Sequence, residues 1–119
     1  MKDLEQWTRE LVRRKWTRVC FGPKTQPNAI AAIRRNHHWA DVVVLRGHDQ
    51  AAAYRAVLRP GDDPLTAEYI LWHHTGDAES VLRAVLNLSP GDLAETTYPT
   101  PLECHVPEIR RRPVTIQLG

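Results

Sequence analysis

Short runs rich in β-forming residues alternate with segments of helical periodicity. This alternation predicts an α+β or small α/β fold in which three to four short strands form a sheet with helices packed on it. Length and composition agree with that class. The 119 residues suit a single domain over 1–119, able to bury roughly two-thirds of the surface that its unfolded form exposes. The 42% apolar and 25% charged content is that of an ordinary globular protein, with no repeat or low-complexity linker.

The elements follow in order. Asp3 and Gln6 have the spacing of a helix cap, and Leu4, Trp7 and Leu11 recur at i, i+3 and i+7 with Arg9, Arg13 and Lys15 on the solvent side. A helix is therefore expected over Asp3–Lys15. Trp16–Phe21 is rich in β-formers and stops at Gly22-Pro23, as a short strand does. Pro27 suits the first turn of a helix over Asn28–Arg35, with Ile30 and Ile33 as its apolar ridge and Asn36 at its end. In Ala40–Leu45 the unbroken run from Val42 to Leu45 fits a strand covered on both faces, and Gly47 ends it.

Gln50–Arg59 carries two readings. At 100° per residue Ala51, Ala53, Tyr54, Val57 and Leu58 gather opposite Arg55 and Arg59, which favours a helix. The same residues also suit a hairpin partner of Val42–Leu45 through a turn at Gly47, His48 and Asp49. Pro60–Pro64 is a loop, Glu68–His73 a central strand, and Thr75-Gly76-Asp77 a turn into a helix over Ala78–Leu88. Val81, Leu82, Val85, Leu86 and Leu88 give that helix a broad apolar face, and Asp77 and Glu79 complement its N-terminal dipole. Ser89-Pro90-Gly91 stops it. Prolines after Asp92 preclude long regular structure, and Pro113–Leu118 alternates like a final edge strand.

Charge is segregated along the chain. Residues 1–46 hold ten basic and four acidic side chains, a formal +6. Residues 47–109 hold three basic and ten acidic, a formal −7, and residues 110–119 add three arginines. Such asymmetry speaks to partners more than to fold. The first reading it supports is protein–protein contact or self-association through oppositely charged surfaces. The alternative partner is nucleic acid, bound by Arg9, Arg13, Arg14, Arg18, Arg34 and Arg35, with Trp39 stacking on an unpaired base. No window approaches ~18 consecutive apolar residues, so no membrane partner is expected. The N-terminal stretch alternates charged and apolar residues where a signal peptide has an apolar core. Two cysteines, Cys20 and Cys104, are too few for a disulfide framework. A cytosolic location follows as an expectation.

Catalytic signals are sparse. Cys20 lies inside an expected strand, Ser80 within a helix and Ser89 in a helix stop, and neither a nucleophile elbow nor a phosphate-binding glycine loop is present. No cofactor and no intrinsic catalytic site are expected. The string from Ile70 to Gly76, with His73-His74-Thr75 at a strand end, resembles zinc-dependent N-acetylmuramoyl-alanine amidases, whose first histidine there binds zinc. The similarity ends after seven residues, because that family's second histidine and third ligand require more chain than the 43 residues that follow. No ligand is carried over from it. Independently, His73 or His74 with Cys104 and His105 is the grouping from which a zinc enzyme, the second alternative, would draw its ligands.

Overall fold

The structure is a computed structural model that describes residues 4–21, 29–36, 38–59, 61–88, 96–105 and 114–115. A helix α1 (Leu4–Arg13) leads into the strands β1 (Thr17–Phe21), β2 (Ala29–Arg35), β3 (Trp39–Gly47), β4 (Gln50–Val57) and β5 (Tyr69–Gly76). Helix α2 (Ala78–Leu86) follows, then the two-residue strands β6 (Tyr98–Pro99) and β7 (Val114–Thr115). The strands form one sheet in the order β6-β5-β4-β3-β2-β1-β7, antiparallel at every junction. No helix among the described residues is long and apolar enough to cross a membrane.

This corrects the expected fold class. Three to four strands alternating with helices give way to a seven-stranded antiparallel sheet, with β1–β6 in meander order and β7 beyond β1 at the opposite edge from β6, because two expected helices are strands. Asn28–Arg35 is β2 from Ala29, and Gln50–Arg59 is β4, the hairpin partner of β3, through Val57. The residues concerned, Ala29, Ala31 and Ala32 in one and Ala51, Ala52, Ala53 and Ala56 in the other, are buried on both sides of the sheet. Alanine scores as the best helix former, yet its small side chain suits an inner strand overlaid on both faces, and pairing partners override the propensity. The cap assigned to Asp3, the expected Pro27 helix start and most of Pro113–Leu118 lie outside the described residues. Within that last segment, Val114 and Thr115 pair with Cys20 and Val19 at the sheet edge.

Each face of the sheet has its own core. Trp7 and Leu11 of α1, Trp16, and Ala78, Val81, Leu82 and Val85 of α2 meet Ala32, Val43, Leu45, Ala51 and Ala53 on one face. Val19, Phe21, Ile33, Val42, Val44, Tyr54 and Ile70 line the other, with Leu65 from a 3-10 turn at Pro64–Thr66 and Cys104 from one at Leu102–Cys104. Both helices thus share one face. The Asp77 carboxylate caps α2 by accepting from Ser80 N–H at 3.1 Å.

The end of α1 is a Schellman motif. Trp16 N–H donates to the Leu11 carbonyl at 3.0 Å and Lys15 N–H to the Val12 carbonyl at 2.9 Å, while Trp16 and Leu11 pack together. The motif needs a left-handed residue, and Lys15 supplies it at φ 70°. A side chain there is strained where glycine is not. Lys15→Gly is therefore expected to raise stability by about 1 kcal/mol, read as a higher urea midpoint; a lower midpoint would show that the lysine side chain outweighs the strain.

Candidate functional site

The meander turns charge segregation along the sequence into segregation in space. Because successive strands lie side by side, the basic segment becomes α1 and β1–β3, and the acidic segment becomes β4–β6 and α2. Among described residues the first half holds eight basic and three acidic side chains, and residues 47–105 hold three basic and seven acidic.

The ion pairs leave this imbalance in place. Arg9 pairs with Glu5 at 2.7 Å, Arg14 with Glu10 at 3.0 Å, and Arg13 also with Glu10, all within α1 and the turn that follows it. Arg83 pairs with Glu79 at 3.0 Å within α2. Exposed pairs of this kind add little stability and lie inside their own half. One cluster crosses the seam. Asp41 on β3 stands opposite Arg34 on β2 and Arg55 on β4. Its carboxylate accepts from Arg55 Nε at 2.7 Å, Arg55 Nη2 at 3.0 Å and Arg34 Nη2 at 2.6 Å. Asp41 and Arg55 are fully buried. The Arg55 guanidinium lies 3.9 Å from the centre of the Trp39 ring, and Arg34 lies 4.9 Å from that of Trp16.

Those contacts divide the expected basic surface. Arg13, Arg14 and Arg35 are exposed, and Arg14 is followed by exposed Lys15 in the turn between α1 and β1. Arg9 is exposed farther back along α1, and Arg18 is half-buried on β1. Arg34 turns toward Asp41, and Trp39 is buried with Arg55 over its ring. Sequence reasoning missed the buried cluster. The signal was one charge inside each of two apolar runs, Asp41 and Arg55, which come opposite each other once these runs are paired as a hairpin through the turn at His48 and Asp49.

The histidine and cysteine candidates are dispersed. His73 and His74 leave β5 on opposite faces: His73 Nδ1 lies 2.7 Å from the Tyr98 hydroxyl, and His74 Nε2 lies 3.1 Å from Ser80 Oγ with its ring stacked beside Trp72. Cys104 is buried in the core lined by Tyr54 and Ile70, and exposed His105 offers its carbonyl to Arg46. Among the described residues no three His, Cys, Asp or Glu side chains gather as a metal site.

Cys104 has a measurable consequence. Burial pushes its thiol from 9.0 up to about 11, with Glu103 adding to the rise and Arg46 opposing it. The unfolded chain therefore ionises first, so the stability Cys104 contributes is whole below pH 9 and is lost as pH rises toward 11. Burial also raises the Tyr54 phenol, whose hydroxyl donates to the Pro64 carbonyl at 2.7 Å. Cys104→Ala is expected to flatten part of the alkaline fall in urea midpoint between pH 9 and 11, with the Tyr54 and Tyr98 phenols, both raised by burial, contributing to the remainder. An unchanged alkaline slope would assign the whole effect to other groups.

At the end of the sheet where β4 stops and β5 starts, Val57, Arg59, Asp62, Asp63, Glu68 and Tyr69 line an open groove of about 440 Å³. One oxygen of Asp62 accepts from Arg59 N–H at 2.9 Å and one of Asp63 from Leu65 N–H at 2.9 Å. Three carboxylates against one guanidinium give the groove a formal −2. Comparison with protein-family models, curated proteins and solved structures gave no match.

Proposed function

We propose that this chain is a cytosolic binding or accessory domain that acts through protein–protein contact, including self-association, between its segregated charged surfaces. The observation that carries this reading is the topology. A meander keeps the basic and acidic segments on separate sides of one sheet, and among the described residues the ion pairs apart from the Asp41 cluster stay within their own half. Opposed patches of this kind steer association and set its register. Two buried free thiols, Cys20 and Cys104, fit a reducing compartment. Nucleic acid is the weaker partner, because Glu5 and Glu10 answer Arg9, Arg13 and Arg14 and the Trp39 ring face is covered by Arg55.

The test is purification at low salt with and without nuclease. A protein contact, with another chain or a second copy, survives nuclease and weakens as salt screens the patches over a Debye length of about 10 Å at 0.1 M. Co-purifying nucleic acid with an affinity that falls by about 0.9 in log–log slope per neutralised phosphate would replace this reading.

A further inference from the structure

We infer that the partner is a second copy of this chain, joined through the end of the sheet where β2 turns into β3 and β4 leads to β5. The inference rests on the charge-contact reading above and adds a place, an occupant and a symmetry. Both signs are present at this one end. Arg35 at the end of β2 pairs in register with Ala40, which stands across from Ala56, which stands across from Ile70 beside Tyr69. Arg35 and Tyr69 therefore flank the same end three strand spacings apart, about 14 Å along the sheet. Exposed Lys15 sits on the Arg35 side, where the chain enters β1, and exposed Glu68 and Asp62 sit on the Tyr69 side.

Apolar exposure marks the same place. Val57 at 43% and Tyr69 at 57% are two of the three exposed large hydrophobic residues among those described, and both line the acidic groove. An exposed aromatic beside carboxylates receives an arginine or lysine through its ring face and a charge pair together. A two-fold axis through the middle of this end lays Arg35 and Lys15 of each copy against Glu68 and Asp62 of the other. The contact is then made twice and closes. Joining opposite sides of the sheet head to tail leaves one patch of each sign free and grows without limit.

The test is a charge swap read by sedimentation of the full chain at low salt. The wild-type chain is expected to form a dimer that does not grow with concentration. Glu68→Arg and Arg35→Glu, both exposed and each checked for an unchanged circular dichroism spectrum, are each expected to weaken self-association roughly tenfold or more. Mixed in equal amounts, the two variants regain complementary contacts at both positions and form a closed one-to-one dimer. A mixture that grows into longer assemblies overturns the two-fold geometry. Wild-type association that ignores both substitutions but is lost on reversing Glu79 of α2 overturns this site while leaving the charge-contact reading standing. Monomers at every salt concentration overturn the dimer, whereas failure of the broader reading shows as nucleic acid in the nuclease-sensitive preparation.

Discussion

Asp41→Ala is expected to cost about 3–5 kcal/mol of stability, the loss typical of breaking a buried ion pair by removing one partner. Asp41 faces Arg55 as an ion pair, and neither side chain has any exposed surface. Its removal takes this carboxylate from the Arg55 guanidinium, which stays buried against the Trp39 ring, and from the half-buried Arg34. Against a total stability of about 5–15 kcal/mol, such a loss consumes a large share. Urea unfolding measures it. Asp41→Asn retains an acceptor without the charge and is expected to lose less. Replacing Asp41 and Arg55 together with Leu and Met is expected to restore most of the stability, because the desolvation of both charges disappears along with their attraction. A single-variant loss below about 1 kcal/mol would mean that water reaches the pair and screens it.

Leu82→Ala is expected to cost about 2–5 kcal/mol, from lost transfer energy plus the cavity left where the sheet cannot collapse. Leu82 is fully buried between Val81 and Val85 of α2 and the Val43, Ala51 and Ala53 side chains of β3 and β4. The two alanines opposite it are too small to move into the space. Leu86, one turn on, is half-buried and packs at the margin of the same core, so its truncation is expected to cost less. Equal losses at both positions, measured by thermal or urea unfolding, would mean that α2 docks with a different face.

The helix at α2 was legible because its apolar residues are large, regularly spaced and bounded by Asp77 and a proline stop, so local pattern and tertiary contact agree. β1, β3 and β5 were legible for a similar reason: Val19, the Val42–Val44 run and Ile70 are β-formers between turn residues. β2 and β4 were not. Their Ala-rich stretches show a helix-like spacing, Ile30 with Ile33 in one and Ala51, Tyr54 and Leu58 in the other, and a strand buried on both faces has no polar side to reveal a period of two.

The basic residues of the expected site were legible as a set but not as a surface. Arg35 and Arg34 are neighbours in sequence, yet adjacent residues of a strand point to opposite faces, so one is exposed and the other turns to Asp41. Reading the segment as a helix placed both at an exposed C-terminus. The groove between Val57 and Tyr69 had no sequence signal beyond the loop at Pro60–Pro64, because the end of β4 and the start of β5 meet only through their pairing.

Composition and order along the chain settle the segregation of charge, the free cysteines, the strong α2 helix and the three most apolar strands, since each depends on residues near one another in sequence. The antiparallel meander, the strand identity of the Ala-rich segments and the burial of Asp41 with Arg55 depend instead on partners supplied from elsewhere in the chain. A guanidinium becomes a core residue only when a carboxylate is brought opposite it, and an alanine run becomes a strand only when hydrogen-bonding neighbours lie on both sides of it.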